Sequence, residues 1–114
     1  MSVLLEAPAD VMRFYVRGVV YRVACEDIVY MESQNRFVAV HTKERLIFVP
    51  YLKLCECMEK GKGHFLRCHR SVLVNPDYIK EIQLNRMKII LYDERGELMI
   101  GRKYLGQVRQ IFDA

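Results

Sequence analysis

A chain of 114 residues with 52% apolar and 28% charged side chains has the length and balance of one globular domain, which excludes a mainly disordered protein. Its apolar runs fall well short of the ~20 residues of a membrane-spanning helix, and residues 1–6 (MSVLLE) lack the basic region of a signal peptide. We therefore expect a cytoplasmic protein with reduced thiols at its four cysteines, Cys25, Cys55, Cys57 and Cys68.

The net charge of +4 is distributed unevenly along the chain. Residues 1–59 carry seven basic and eight acidic side chains, whereas residues 60–114 carry eleven basic and six acidic ones. Positive charge that is confined to one half favours an anionic partner, either nucleic acid or a membrane surface. A mildly basic surface without any binding role would give the same count.

Alternating apolar and polar residues predict a succession of short β-strands. The predicted strands are residues 13–17, 19–23, 28–33, 37–42, 45–49, 65–69, 79–84, 87–92 and 97–100. Residues 72–74 form a short apolar stretch to which the pattern assigns no element. Apolar residues at helical spacing predict one helix over 51–60, after Pro50, and a second over 104–112.

These elements indicate a mostly β fold with about nine strands and two short helices. Residues 1–11 precede the pattern, and we interpret them as an N-terminal tail or the stub of a linker. Residues 12–114 are then the folded domain. The apolar stripe of the last helix is expected to pack in the core, with a dimer contact as the alternative; it consists of Leu105, Val108, Ile111 and Phe112.

The motifs of enzymes and metal sites are missing from the sequence. Its six glycines are scattered and form no phosphate-binding loop. Cys55 and Cys57 lie two apart on a predicted helix and point roughly 200° away from each other, so they cannot share a metal ion. Cys68 and His69 are adjacent on a predicted strand and leave opposite faces, which argues against a nucleophile–base pair. We expect no enzymatic activity, no cofactor and no metal.

Three polar stretches interrupt the apolar strands: residues 33–36 (SQNR), 69–71 (HRS) and 102–104 (RKY). Each contains an arginine, whose forked guanidinium matches the O6/N7 edge of guanine and also phosphate. The neighbouring Ser, Asn, Gln and His side chains suit phosphate oxygens or base edges. Loops are polar in most proteins, so these stretches alone do not distinguish a DNA-binding surface from ordinary loops.

Three ordered segments of the chain resemble the signatures of the LytTR family of DNA-binding domains. The first is residues 27–33 (DIVYMES), followed by Arg36. The second is residues 65–75 (FLRCHRSVLVN), continued by Tyr78, Ile79 and Ile82. The third is residues 96–97 (GE) and 100–104 (IGRKY), followed by Val108. The resemblance covers about residues 12–112, nearly the whole chain.

This resemblance implies a LytTR-like elongated stack of small antiparallel β-sheets, in which loops enter successive major grooves on one side of the DNA. Such domains are effector domains of bacterial response regulators in two-component systems. They usually follow a receiver or a membrane sensor, and they bind tandem direct repeats as pairs. The resemblance therefore implies sequence-specific binding of double-stranded DNA by a transcription regulator.

The resemblance also assigns roles to single residues. Arg70 and Arg102 match positions that reach bases, and Asn35 and Arg36 lie in the loop that matches the third base-reading element. The positions that match or neighbour contacts to the DNA backbone are Gln34, His69, Ser71, Lys103 and Tyr104.

Four neighbouring residues have other interpretations. Alternation directs Leu66 and Cys68 inward and Arg67 outward, where an ion pair with Glu32 or another strand carboxylate is expected. Asn75, before Pro76-Asp77, is expected to close a turn by bonding its own backbone. Cys68 is either a redox-sensitive thiol whose oxidation releases DNA or a buried inert one.

Two functions from other classes remain open at this point. The first is a protein-interaction module that uses its strand edges. The second is a binder of single-stranded nucleic acid on a small β fold, which requires exposed aromatic side chains on a sheet face. The Tyr and Phe residues mostly alternate into the expected core, which counts against this second alternative.

Overall fold

The computed structural model describes residues 10–113. Over this range the chain forms ten strands and two helices, linked in part by single 3₁₀ turns. The elements are β1 (Val11–Val16), β2 (Val19–Ala24), β3 (Ile28–Gln34), β4 (Phe37–Thr42), β5 (Leu46–Pro50), α1 (Leu54–Lys60), β6 (Leu66–His69), β7 (Val72–Val74), β8 (Ile79–Gln83), β9 (Lys88–Leu91), β10 (Glu97–Met99) and α2 (Leu105–Asp113). Neither helix is long and apolar enough to cross a membrane, as far as the described residues go.

The strands form three antiparallel sheets. A five-stranded sheet has the order β5-β4-β3-β7-β6, a two-stranded sheet consists of β1 and β2, and a three-stranded sheet has the order β10-β9-β8. The molecule is elongated, with extents of 49 × 36 × 25 Å. The expected fold, a mostly β stack of small antiparallel sheets with two short helices, is confirmed.

The five-stranded sheet contributes to a core on each of its faces, since successive side chains of a strand point to opposite sides. On one face, Met31 and Leu73 pack against Phe14 of β1. On the other face, Val74 packs in a second core with Ile89 of β9 and Val108 of α2. The five-stranded sheet therefore lies between the two smaller sheets, and helix α2 packs on the same face as the three-stranded sheet.

Residues 72–74, to which the sequence pattern assigned no element, form β7, which lies between β3 and β6. All three side chains are buried. A strand that is covered on both faces has no polar positions and hence shows no alternation, so periodicity alone does not identify it.

Most elements begin or end one or two residues from the predicted positions, and two differences have a clear physical reason. Helix α1 begins at Leu54 rather than Tyr51, because Tyr51 has a φ of 60° and cannot continue a right-handed helix. Strand β1 begins at Val11, which pairs with Ala24 and so belongs to the folded domain rather than to the tail. Asp10 of the predicted tail is also described, and its carbonyl accepts from the Cys25 N–H at 2.8 Å, whereas residues 1–9 lie outside the described residues.

Helix α2 packs on β6 through its apolar stripe. Val108 is fully buried beside Cys68, and Leu105 packs against the same core, which supports the core interpretation of the stripe. The side chain of Phe112 lies outside the described part of the chain. Because α2 is fixed in this way, the segment just before it, Arg102–Tyr104, is held beside the end of β6.

Candidate nucleic-acid interface

The first predicted loop is the two-residue turn between β3 and β4. Gln34 pairs with Phe37, which leaves Asn35 and Arg36 exposed at the tip. Asn35 has a φ of 50°, a left-handed conformation that asparagine tolerates better than most residues. The backbone N–H of Tyr51 donates to the Arg36 carbonyl at 2.6 Å, so the turn is fixed to the end of β5.

The second predicted loop is the turn between β6 and β7, where Arg70 is exposed. The His69 ring nitrogen Nδ1 lies 2.9 Å from Ser71 Oγ and accepts from the Ser71 backbone N–H at 3.2 Å. Because Nδ1 accepts from the Ser71 backbone N–H, the neutral tautomer that fits this contact carries its proton on Nε2. His69 Nε2 is therefore available as a donor at the edge of this turn.

The third predicted segment, Arg102–Tyr104, is a single 3₁₀ turn that leads into α2. Arg102 and Lys103 are exposed, and Tyr104 is half-buried. A Cβ atom on Gly101 would lie 3.2 Å from the Tyr104 ring and 3.5 Å from the His69 ring. The contact to Tyr104 is tight and that to His69 is an ordinary van der Waals contact, so any larger residue at position 101 would require a small shift of the Tyr104 ring.

Two backbone hydrogen bonds bring the three segments to one end of the molecule. The Ser33 N–H donates to the Ser71 carbonyl at 2.9 Å and joins the first segment to the second. The Gly101 N–H donates to the Cys68 carbonyl at 2.8 Å and joins the second to the third.

The second and third segments share a cleft of about 270 Å³ with no acidic side chain among its lining residues, which are His69, Arg70, Gly101, Arg102, Lys103 and Tyr104. Five of the nine residues that the resemblance assigned to DNA contacts thus line one basic cleft. Of the other four, Ser71 belongs to the same β6–β7 turn, and Gln34, Asn35 and Arg36 lie at the neighbouring β3–β4 turn.

Arg67 does not form the expected ion pair. Its Nε donates to the His69 carbonyl at 2.9 Å, and its Nη2 donates to the Arg70 carbonyl. Its guanidinium also lies over the Tyr104 ring, 5.6 Å from the centroid. None of the ion pairs among residues 10–113 includes Arg67. The prediction of a carboxylate partner is therefore wrong, because the turn after β6 presents two backbone carbonyls to the guanidinium instead.

Sequence reasoning did not assign Arg67 to the site. Alternation places it on the outer face of β6, but the register of β6 against β7 shifts between Arg67 and His69. Alternation along the sequence cannot indicate such a shift of register. The available signal was the arginine itself, positioned just before the turn.

Cys68 is the fourth predicted feature of this region, as a candidate redox site. Its side chain is fully buried, and burial raises the pKa of its thiol to about 12. Since the thiolate is the reactive form, this environment favours the inert alternative.

We expect thiol-specific reagents to confirm this difference in reactivity. Cys55 is exposed, whereas Cys25, Cys57 and Cys68 are buried. Ellman's reagent should therefore titrate Cys55 quickly in the folded protein and the other three thiols only after unfolding. Rapid modification of Cys68 in a Cys55→Ser variant, or a change in DNA affinity after peroxide treatment that Cys68→Ser abolishes, would restore the redox interpretation.

Known proteins provide independent information about the chain. The family model described as the LytTr DNA-binding domain matches residues 18–113. The transcriptional regulatory protein YpdB of Escherichia coli K12 is 32% identical over 88 residues, which are 75% of this chain and 36% of YpdB. YpdB of Escherichia coli O6:H1 is 33% identical over 89 residues, with the same coverage of both chains. The chain thus spans about a third of the length of these relatives.

A solved structure supports the same assignment at the level of the fold. The LytTr DNA-binding domain of a methyl-accepting/DNA response regulator from Bacillus cereus has a TM-score of 0.76 to this chain at 20% identity. The match covers 94% of this chain and 100% of that domain. Since the family model also spans most of the sequence, the chain belongs to the LytTR family of DNA-binding domains.

Proposed function

We propose that this domain binds double-stranded DNA sequence-specifically as part of a bacterial transcription regulator, and that its three loop segments enter successive major grooves. The observation that carries the proposal is the joining of the three segments at one end, where Arg36, Arg70, Arg102 and Lys103 are all exposed. Three of these four cations line a cleft with no acidic side chain, and together the four match the phosphate backbone that supplies most of the affinity for DNA. The name of YpdB supports a role in transcription.

Within this proposal, Arg70 and Arg102 read bases. Both are exposed arginines on short, well-fixed turns, and a guanidinium can bond the O6 and N7 atoms of guanine at the same time. Asn35 and Arg36 supply the third reading element. Contacts to phosphate and sugar come from the remaining donors of the same end, namely Gln34, His69, Ser71, Lys103 and Tyr104.

The partners of the whole protein belong to the same proposal. The relatives extend well beyond the region that this chain matches, which leaves room in them for a receiver or sensor domain. We infer that two such domains bind a pair of direct repeats. Two copies of this domain would then bind the two repeats in the same orientation.

Selection of sites from a random duplex library, repeated at two salt concentrations, tests the function. Enrichment of direct repeats with a steep loss of affinity at higher salt is expected. Salt-sensitive binding without enrichment would indicate a non-specific DNA binder. A lack of binding would favour the protein-interaction module, and stronger binding of single-stranded than of duplex oligonucleotides would favour the single-strand alternative.

Lys103→Ala is expected to weaken the binding of cognate and random duplexes by the same factor, because a phosphate contact carries no sequence information. The slope of log affinity against log salt should fall by about 1. Fluorescence anisotropy titrations over a range of salt measure both quantities. Lys60→Ala is the matched control, since Lys60 is exposed at the end of α1 and outside the three segments. A selective loss on the cognate site would instead make Lys103 a base-reading residue.

A further inference from the structure

We propose that Arg67 is a positioning residue, which holds the β6–β7 turn and the Arg102–Tyr104 segment in one fixed arrangement and thereby sets the sequence preference without touching DNA. The proposal rests on the function proposed above, in which Arg70 and Arg102 read bases. Its basis is that one guanidinium contacts both segments.

The contacts to the β6–β7 turn are hydrogen bonds to consecutive carbonyls. Arg67 Nε donates to the His69 carbonyl at 2.9 Å, and Nη2 donates to the Arg70 carbonyl. These bonds direct both carbonyls towards Arg67. Because the guanidinium is planar and rigid, it fixes the two carbonyls relative to each other, which a single donor could not do.

The contact to the other segment is made through Tyr104. The ring centroid lies 5.6 Å from the Arg67 guanidinium carbon, within the range of a cation–π interaction. The Tyr104 N–H donates to the Gly101 carbonyl, and the Gly101 N–H donates to the Cys68 carbonyl. The guanidinium and this backbone bond therefore join the same two segments from different sides. The Asn35–Arg36 turn is linked to them through the β3–β7 pairing and the bond from the Ser33 N–H to the Ser71 carbonyl.

This arrangement affects sequence preference more than general affinity. A bidentate contact to guanine requires the arginine within about 0.5 Å and 10–20° of its ideal position, whereas a phosphate accepts a cation from many directions. Lysine at position 67 would keep the charge but lose the planar fork. Arg67→Lys hence separates the positioning role from the charge.

The test compares wild type, Arg67→Lys and Arg95→Lys on the selected duplex and on random duplex at two salt concentrations. Arg95 is a matched control, because it also donates to a backbone carbonyl, that of Lys43, and lies over a tyrosine ring, that of Tyr78. We expect Arg67→Lys to lower affinity for the selected site roughly tenfold, as for partial loss of one base contact. Affinity for random DNA, the salt slope and every property of Arg95→Lys should stay unchanged.

Three outcomes would overturn the proposal. Unchanged affinity for the selected site would show that Arg67 does not position the reading arginines. A similar loss in Arg95→Lys would indicate a general effect of replacing a half-buried guanidinium. Arg67→Gln removes the charge. If it lowered affinity for both duplexes equally while Arg67→Lys had no effect, Arg67 would contribute through its charge alone.

Hydrogen exchange without DNA keeps this proposal separable from the proposed function. In Arg67→Lys, the amides of Ser71 and Gly101 should both exchange faster, while that of Val40 in the middle of β4 should not change. If the amide of only one of the two segments exchanged faster, Arg67 would not hold the two segments together. Faster exchange throughout the protein would indicate general destabilisation. If wild type selects no DNA sequence, the proposed function fails, and this measurement still decides whether Arg67 joins the two segments.

Discussion

Replacing Arg102 with alanine is expected to lower affinity for the selected site by about 1–3 kcal/mol, which is roughly 5- to 150-fold, and Arg70→Ala should have an effect of the same size. The reason is geometric. Both arginines are exposed on turns whose backbones are tied to β6, one by Arg67 and the other by the bond from Gly101 to Cys68. A side chain on a backbone fixed in this way can bond a guanine edge in one defined orientation. Random duplex should lose much less affinity, because only a charge interaction disappears there.

The measurement is an anisotropy titration of each variant with selected and random duplexes under one salt condition. Arg22→Ala is the control, because it removes the same charge from an exposed position on β2, outside the three segments. If Arg102→Ala reduced the affinity for both duplexes equally, its assignment to base reading would be wrong. In that event Arg102 would be a backbone contact, and the selected sequence should be unchanged in the variant.

Two strands of the five-stranded sheet were predicted well, because the polar stretch at residues 33–36 separates them in the sequence. Strand β4 has the predicted bounds, and β3 is one residue longer than predicted. Strand β7 was not identified because burial on both faces removes the alternation on which such predictions depend. The start of α1 was misplaced for a different reason. Tyr51 fits the helical spacing of apolar residues, but its left-handed backbone belongs to the connection from β5.

The three loop segments of the candidate site could be located in the sequence, because polar residues with an arginine interrupt apolar strands and the family resemblance covers all three. Their mutual arrangement was not. It depends on contacts between residues distant in the sequence, such as the bond from Gly101 to Cys68, and on the bulge between Arg67 and His69. Local periodicity does not contain these contacts. For the same reason Arg67 was expected to pair with a carboxylate, although its partners are backbone carbonyls and a tyrosine ring.

Asn75→Ala is expected to lower the free energy of unfolding by about 2–4 kcal/mol, because it leaves buried polar groups without partners. Asn75 is the buried polar side chain of the described core, with 2% of its surface exposed. Its Oδ1 accepts from the Asp77 N–H at 3.0 Å, as the sequence predicted. Its Nδ2 also donates to the Ile28 carbonyl at 3.0 Å and to the Cys25 carbonyl at 3.5 Å, which ties the turn after β7 to the start of β3.

Urea unfolding of two further variants separates these contributions. Asn75→Asp keeps the acceptor for the Asp77 N–H but has no donor for the two carbonyls, and its carboxylate would face them. It should therefore be at least as destabilised as Asn75→Ala. Asn85→Ala, in the exposed turn after β8, is the control and should change stability by less than about 0.5 kcal/mol. If Asn75→Asp were as stable as wild type, the local turn bond alone would matter. The link from Asn75 to β3 would then contribute nothing to the stability of the five-stranded sheet.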